Sequence, residues 1–283
     1  MADAGTRGQY VWYDLRTIDD KAAQAFYTKV ANWGTMPMEG MPGYMMWTAN
    51  GQPLGGVMKM EPGEQAPPHW LGYVSVPDVD ATVKQAQSLG GGVIVPGTPI
   101  PNVGKFAILS DPQGAVFAIF SGDGAGPDGE PGVGQFSWHE LATSDYKKAF
   151  EFYSALFGWQ KQAEHEMGEM GVYFLFAVNG RETGGIYNIM PGMPMPPNWL
   201  QYIRVDSVDR AVERVTANGG KVLHGPMDVP GGDRIAQCMD PQGGMFAVHS
   251  KSTVSWVFMP PPGTKILARY DRIRSKLPNS ALT

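Results

Sequence analysis

Residues 11–20, VWYDLRTIDD, lead to a Phe-Tyr pair at Phe26 and Tyr27, and residues 137–145, SWHELATSD, lead to the same pair at Phe152 and Tyr153, 126 positions later. Further on, HWLGYVSVPDVDA (69–81) matches NWLQYIRVDSVDR (198–210). Asp111-Pro112-Gln113-Gly114 matches Asp240-Pro241-Gln242-Gly243. These later matches are 129 positions apart. A period this long marks a duplicated domain rather than a solenoid unit of 20–50 residues. The overlay also states which residues stand in equivalent places.

Each copy divides again. Tyr10–Thr17 alternates and is rich in aromatics, which predicts a strand. Asp19–Val30 has Ala22, Ala25, Phe26 and Lys29 at helical spacing behind Asp19, a good N-cap. Three short strands are expected near 35–39, 43–49 and 53–60. The order then restarts with a strand from Leu71 to Val76, a helix from Val79 to Leu89 ended by Gly90-Gly91, and strands near 92–97, 104–109 and 115–121. The second copy reads the same way: strand 136–142, helix 145–156, strands to 190, strand 200–205, helix 208–218, strands to 249. The expectation is an α+β fold of four βαβββ modules in two domains, 9–122 and 135–250. A Gly/Pro-rich linker (123–134) joins them, and each domain is expected to bury its own core.

The totals set limits. Net charge is −5 with a pI near 5.5, so no global basic footprint points to nucleic acid. One cysteine, Cys238, excludes an intramolecular disulfide and reads as a small buried apolar residue. No apolar run of ~18 residues predicts a membrane span. The reading is a soluble cytoplasmic protein, monomer or homodimer. The segment 251–283 carries six Lys/Arg against one Asp, while the remainder carries 16 Lys/Arg against 26 Asp/Glu. A basic tail docking on an acidic body, with a short helix near Lys265–Ser275, is the expectation there.

Paired βαβββ modules, a W-x-[DE]-L opening followed by FY, and D-P-Q-G before a hydrophobic strand resemble the vicinal oxygen chelate superfamily. That superfamily includes glyoxalase I, bleomycin-resistance proteins and extradiol dioxygenases. The Trp-led opening is similar to the two-domain, CFP32-like glyoxalase-like group. The resemblance implies curved mixed sheets around cavities. It also implies a divalent metal held by His, Gln or Glu on the first and last strands of the modules. Carried onto this sequence, those positions are Trp12, Leu71, Ala118 and a site near Gly56-Val57. In the second copy they are Trp138, Leu200, Ala247 and a site near Gly185-Ile186. None has a metal-binding side chain, and a one-residue slip at the closing strand gives only Phe117, Ile119, Phe246 or Val248. The reading is therefore of no cofactor, with a divalent metal left open although its usual ligands are absent, and extradiol dioxygenase chemistry is not expected.

Alternation places Asp14 and Arg16 on the face of Trp12, and Glu140 on the face of Trp138. Tyr13, Leu15, His139 and Leu141 then turn to the helix side. The face of Trp12 and Trp138 also takes Tyr73 and Ser75, Tyr202 and Arg204, Phe120 and His249. Asp14 and Glu140 are twin acids at one point of the duplicated unit, candidates for a general base or a ligand anchor, or for structural pairing with a local Arg. His249 is a further acid/base candidate. Arg16 and Arg204 are candidates to clamp an anionic ligand group, or to pair internally. Trp12, Trp138, Tyr73 and Tyr202 are candidates for the aromatic wall of a small-molecule site. Trp33, Trp70, Trp159 and Trp199 read as core, His69 as a turn residue, and His139 as packed against a helix or bonded at the sheet edge. His165 reads as solvated.

Three functions are open at this point. One is a metal-independent binder of a small aromatic or amphiphilic molecule. Another is a lyase or isomerase of the glyoxalase family, using Asp14, Glu140 or His249 as acid/base or as atypical metal ligands. The third is an assembly role for the basic tail.

Overall fold

In each copy an acidic or hydroxyl N-cap starts every helix after an opening strand. The computed structural model describes residues 6–122 and 129–251. The first copy runs β1 (Tyr10–Thr17), α1 (Asp20–Val30), β2 (Gly34–Pro37), β3 (Met45–Ala49), β4 (Gln52–Lys59), β5 (His69–Ser75), α2 (Val79–Ser88), β6 (Gly92–Ile100), β7 (Gly104–Ser110) and β8 (Val116–Gly122). The second runs β9 (Phe136–Thr143), α3 (Tyr146–Phe157), β10 (Gln160–Glu166), β11 (Val172–Val178), β12 (Arg181–Asn188), β13 (Asn198–Arg204), α4 (Val208–Ala217), β14 (Lys221–Asp228), β15 (Arg234–Met239) and β16 (Met245–Ser250). Asp19, Asp78 and Asp145 each accept from backbone amides of the first turn, and Ser207 does so for α4. The helix expected near Lys265–Ser275 lies outside the described residues.

Each copy forms one mixed eight-stranded sheet, in the orders β2-β3-β4-β1-β5-β8-β7-β6 and β10-β11-β12-β9-β13-β16-β15-β14. The two opening strands of a copy pair antiparallel at the centre, and each pairs parallel with the last strand of its own module. Neither sheet closes into a barrel, because β2 and β6, like β10 and β14, lie at opposite ends. Among the described residues no helix is long and apolar enough to cross a membrane.

The copies do not keep separate cores, contrary to the expectation above. One hydrophobic cluster contains Leu15, Phe26, Trp33, Trp47 and Trp70 of the first copy with Phe136, Leu141, Trp159 and Phe246 of the second. The rings of Tyr13 and Phe136 stack with centroids 3.8 Å apart. The FY pair of each copy packs on the closing strand of the other. Tyr27 lies 5.2 Å from Phe246, and Tyr153 lies 5.3 Å from Phe117.

Hydrogen bonds follow the same exchange. Trp70 Nε1 donates to Tyr27 Oη (2.9 Å), whose hydroxyl donates to Asp240 Oδ2 (3.0 Å). Trp199 Nε1 donates to Tyr153 Oη (3.0 Å), which donates to Asp111 Oδ2 (3.0 Å). The WL, FY and DPQG motifs are thus the parts that lock the copies together.

Candidate functional site

Alternation along β1 and β9 sends Asp14 and Glu140 to the face opposite the shared core, where both are buried, at 7% and 8% exposure. Asp14 Oδ1 accepts from Tyr44 Oη (2.6 Å) and Trp12 Nε1 (3.0 Å), and the Tyr73 hydroxyl also favours its charged form. Glu140 accepts from Tyr173 Oη at Oε2 (2.9 Å), and from Tyr202 Oη (3.1 Å) and Gln237 Nε2 (3.2 Å) at Oε1. Trp138 Nε1 donates to Tyr173 Oη (3.0 Å), as Trp12 Nε1 does to Tyr44 Oη (2.7 Å). Burial raises both carboxyl pKa values above the ordinary range, and the hydroxyl donors pull them partly back.

The site gains members that alternation alone did not reveal. Tyr44 arrives from the loop before β3, Tyr173 from β11 and Gln237 from β15. Tyr44 and Tyr173 are 129 apart, so the overlay could have paired them. Two glycines make room. A Cβ on Gly56 would lie 2.0 Å from Tyr44 Oη, and one on Gly185 would lie 2.2 Å from Tyr173 Cζ.

The other candidates lie around this centre in different ways. Tyr73 and Tyr202 pair across the sheet with Trp12 and Trp138, which places the four aromatics together. Arg16 is ion-paired with Glu64, and Arg204 bonds the Pro131 carbonyl with Glu130 at 3.9 Å. His249 is held by Ser137 and Asp233 (both 2.9 Å) rather than by Glu140.

His139 departs from the expectation of a helix contact or a sheet edge, since β9 is a central strand. Its ring stacks on Tyr10 at 3.7 Å. Nδ1 faces the Thr183 carbonyl (3.0 Å), an acceptor only, so Nε2 accepts from Tyr13 Oη (2.7 Å). Burial drives its pKa down to about 3. His69 begins β5 instead of a turn, bonding the Pro67 carbonyl as Asn198 bonds that of Pro196, both at 2.8 Å. A cavity of about 30 Å³ borders Tyr10, Tyr13, His139 and Arg181 between the copies. That is water-sized and too small for an organic ligand.

The model of the glyoxalase/bleomycin resistance protein/dioxygenase superfamily matches residues 135–248. The chain is 35% identical over 246 residues to "Putative glyoxylase CFP32" of Mycobacterium tuberculosis, covering 84% of this chain and 92% of that protein. The chain belongs to this superfamily. It is also similar to the anthracycline biosynthesis protein DauV of a Streptomyces species, 29% identical over 260 residues, covering 85% of this chain and 92% of that one. Among solved structures, the 2,3-dioxygenase LapB of Pseudomonas sp. KL28 superposes with a TM-score of 0.64 at 12% identity, covering 93% of this chain and 97% of that chain. The Mn(II)-bound glyoxalase of Novosphingobium aromaticivorans does so with 0.60 at 18%, covering 87% and 82%. At those identities the structures establish the superfamily fold.

The positions assigned to metal ligands by resemblance do ring the carboxylates. Asp14 pairs across to Gly56 on one side and Leu71 on the other, and Tyr73 pairs with Trp12 and Ala118. Glu140 pairs with Gly185 and Leu200, and Tyr202 with Trp138 and Ala247. Among the described residues no three His, Cys, Asp or Glu side chains come together as a chelating group.

Proposed function

We propose that this superfamily member binds a small, flat aromatic or amphiphilic molecule on the carboxylate–tyrosine face, without the family's usual metal chelate. One observation carries the reading. The ring of ligand positions is occupied by Trp, Leu, Ala and Gly, and inside it stands a carboxylate already accepting from Tyr and Trp donors. A divalent ion needs several free N or O lone pairs at one point, and this donor set does not fit it. Half-buried Trp12 and Trp138 offer ring faces for stacking. The tyrosine hydroxyls, whose protons are given to the acid, offer lone pairs that accept from a ligand hydroxyl or amine. Relatedness to an anthracycline biosynthesis protein supports a polycyclic aromatic ligand.

The raised carboxyl pKa values favour a second reading. In it Glu140 takes or gives a proton on the bound molecule, as in a lyase or isomerase. Titration with an anthraquinone, followed by tryptophan fluorescence, tests the first reading. Saturable quenching, weakened in Trp138→Leu, is expected. A stoichiometric divalent ion in the purified protein, lost in Glu140→Ala, overturns the metal-free part. Turnover lost in Glu140→Gln with binding intact establishes the second reading.

A further inference from the structure

The second copy carries a hydrogen-bonded chain that the first lacks. Ser137 Oγ lies 2.9 Å from His249 Nδ1, and His249 Nε2 lies 2.9 Å from Asp233 Oδ2. A carboxylate only accepts, so Nε2 holds the ring proton and Nδ1 offers its lone pair to the Ser137 hydroxyl. That is the order of a nucleophile, its base and the group that orients the base.

The backbone does not require these residues. Ser137 is the extra residue where the register of β9 on β13 slips, between the pairs of Tyr202 and Ile203. The first copy has the same slip between Tyr10 and Trp12. Bulges of this kind re-aim side chains and are over-represented next to active sites. The equivalent residues of the first copy are Val11, Phe120 and Gly104, all apolar. One fold therefore exists here with the chain and without it. Ser137 is half-exposed, and the side chains of His249 and Asp233 are 10% and 26% exposed, so a small molecule can reach the hydroxyl.

We propose that Ser137, His249 and Asp233 form a nucleophilic serine site that takes activated carboxylic esters. Ser137 Oγ attacks the ester carbonyl carbon while its proton passes to His249 Nδ1. The bond from that carbon to the leaving oxygen breaks, and the Nδ1 proton goes to the departing oxygen, giving the alcohol and an acyl-Ser137. Water then attacks the acyl carbon as Nδ1 takes its proton. Ser137 Oγ leaves and recovers that proton, and the carboxylic acid is released without net redox change. Asp233 is the positioning residue. Burial lowers the pKa of His249, Asp233 raises it, and Lys251 and Arg204 lower it again, which leaves the free base available at neutral pH.

The test is labelling of the full chain with a fluorophosphonate, read by intact mass and peptide mapping, alongside hydrolysis of p-nitrophenyl acetate. One label on Ser137 is expected. His249→Phe, which installs the first copy's own residue, is expected to slow labelling roughly 100-fold or more with the thermal midpoint retained. Ser137→Val is expected to abolish labelling. Asp233→Asn is expected to slow labelling and shift the pH midpoint of its rate downward, a change that a merely structural role would not produce. An unlabelled Ser137 in the folded protein, or an equal rate in a folded His249→Phe, overturns the proposal.

Discussion

At Glu140 a carboxylate sits at 8% exposure among hydroxyl and amide donors, and its protonation is tied to folding. Burial raises its pKa above the ordinary 4.5. Below that value the acid is protonated in both states and costs nothing. As pH rises, the unfolded chain ionises first, so the folded state loses relative stability until the raised pKa is passed. Glu140→Gln has no such term. Urea unfolding at pH 4 and pH 7 is expected to show the variant gaining on the wild type with pH, by up to about 1.4 kcal/mol per unit within that window.

His139 has the opposite sign. Its folded pKa of about 3 lies below the ordinary 6.5, so it drains stability as pH falls from 6.5 towards 3. Tyr13→Phe would leave Nε2 buried without its donor. A loss of about 1–3 kcal/mol at neutral pH, measured by urea denaturation, is expected.

Along the elements, the two-residue period was enough to assign the faces of β1 and β9. Tyr13, Leu15 and Leu141 do lie in the shared core, whereas Asp14 bonds Trp12 and Glu140 bonds Tyr202, members of the separate clusters on the other face. What alternation could not supply is which distant strand lies over a given residue. Tyr44 and Tyr173 reach the carboxylates only because β3 and β11 run beside β4 and β12, and that pairing depends on topology. The glycines of β4 and β12 show how the pairing is enforced. A Cβ on Gly184 would lie 2.1 Å from the His139 carbonyl oxygen, and one on Gly185 would strike the Tyr173 ring. Gly185→Ala must push Tyr173 away from Glu140. A destabilisation of about 1–3 kcal/mol is expected from overpacking, with ligand-induced tryptophan quenching lost at the same time. Unchanged stability and unchanged quenching would mean that Tyr173 does not fill this place.

Over the whole molecule, the repeated motifs that disclosed the duplication are the motifs that join its copies. Phe-Tyr and Asp-Pro-Gln-Gly read as a helix and a turn of one domain, because a sequence read copy by copy pairs each motif with its own neighbours. The structure pairs them crosswise. Tyr27 serves Asp240 and Tyr153 serves Asp111, and Asp111 and Asp240 spend their other oxygen on amides of their own turns. Each copy alone would therefore expose Phe26, Tyr27, Trp70 and Tyr13, or Phe136, Tyr153 and Trp199, and leave Asp111 or Asp240 without its hydroxyl donor. Burial of one such aromatic is worth about 1.5–3 kcal/mol, so several together amount to much of a domain's ordinary stability of about 5–15 kcal/mol. Residues 6–122 and 129–251 expressed separately are expected to lack a cooperative thermal transition, and to regain one as a 1:1 complex when co-expressed. Circular dichroism and size-exclusion chromatography read both outcomes. A sharp, concentration-independent transition in either half alone would show that its core closes without the other, and that the crosswise hydrogen bonds are incidental to folding.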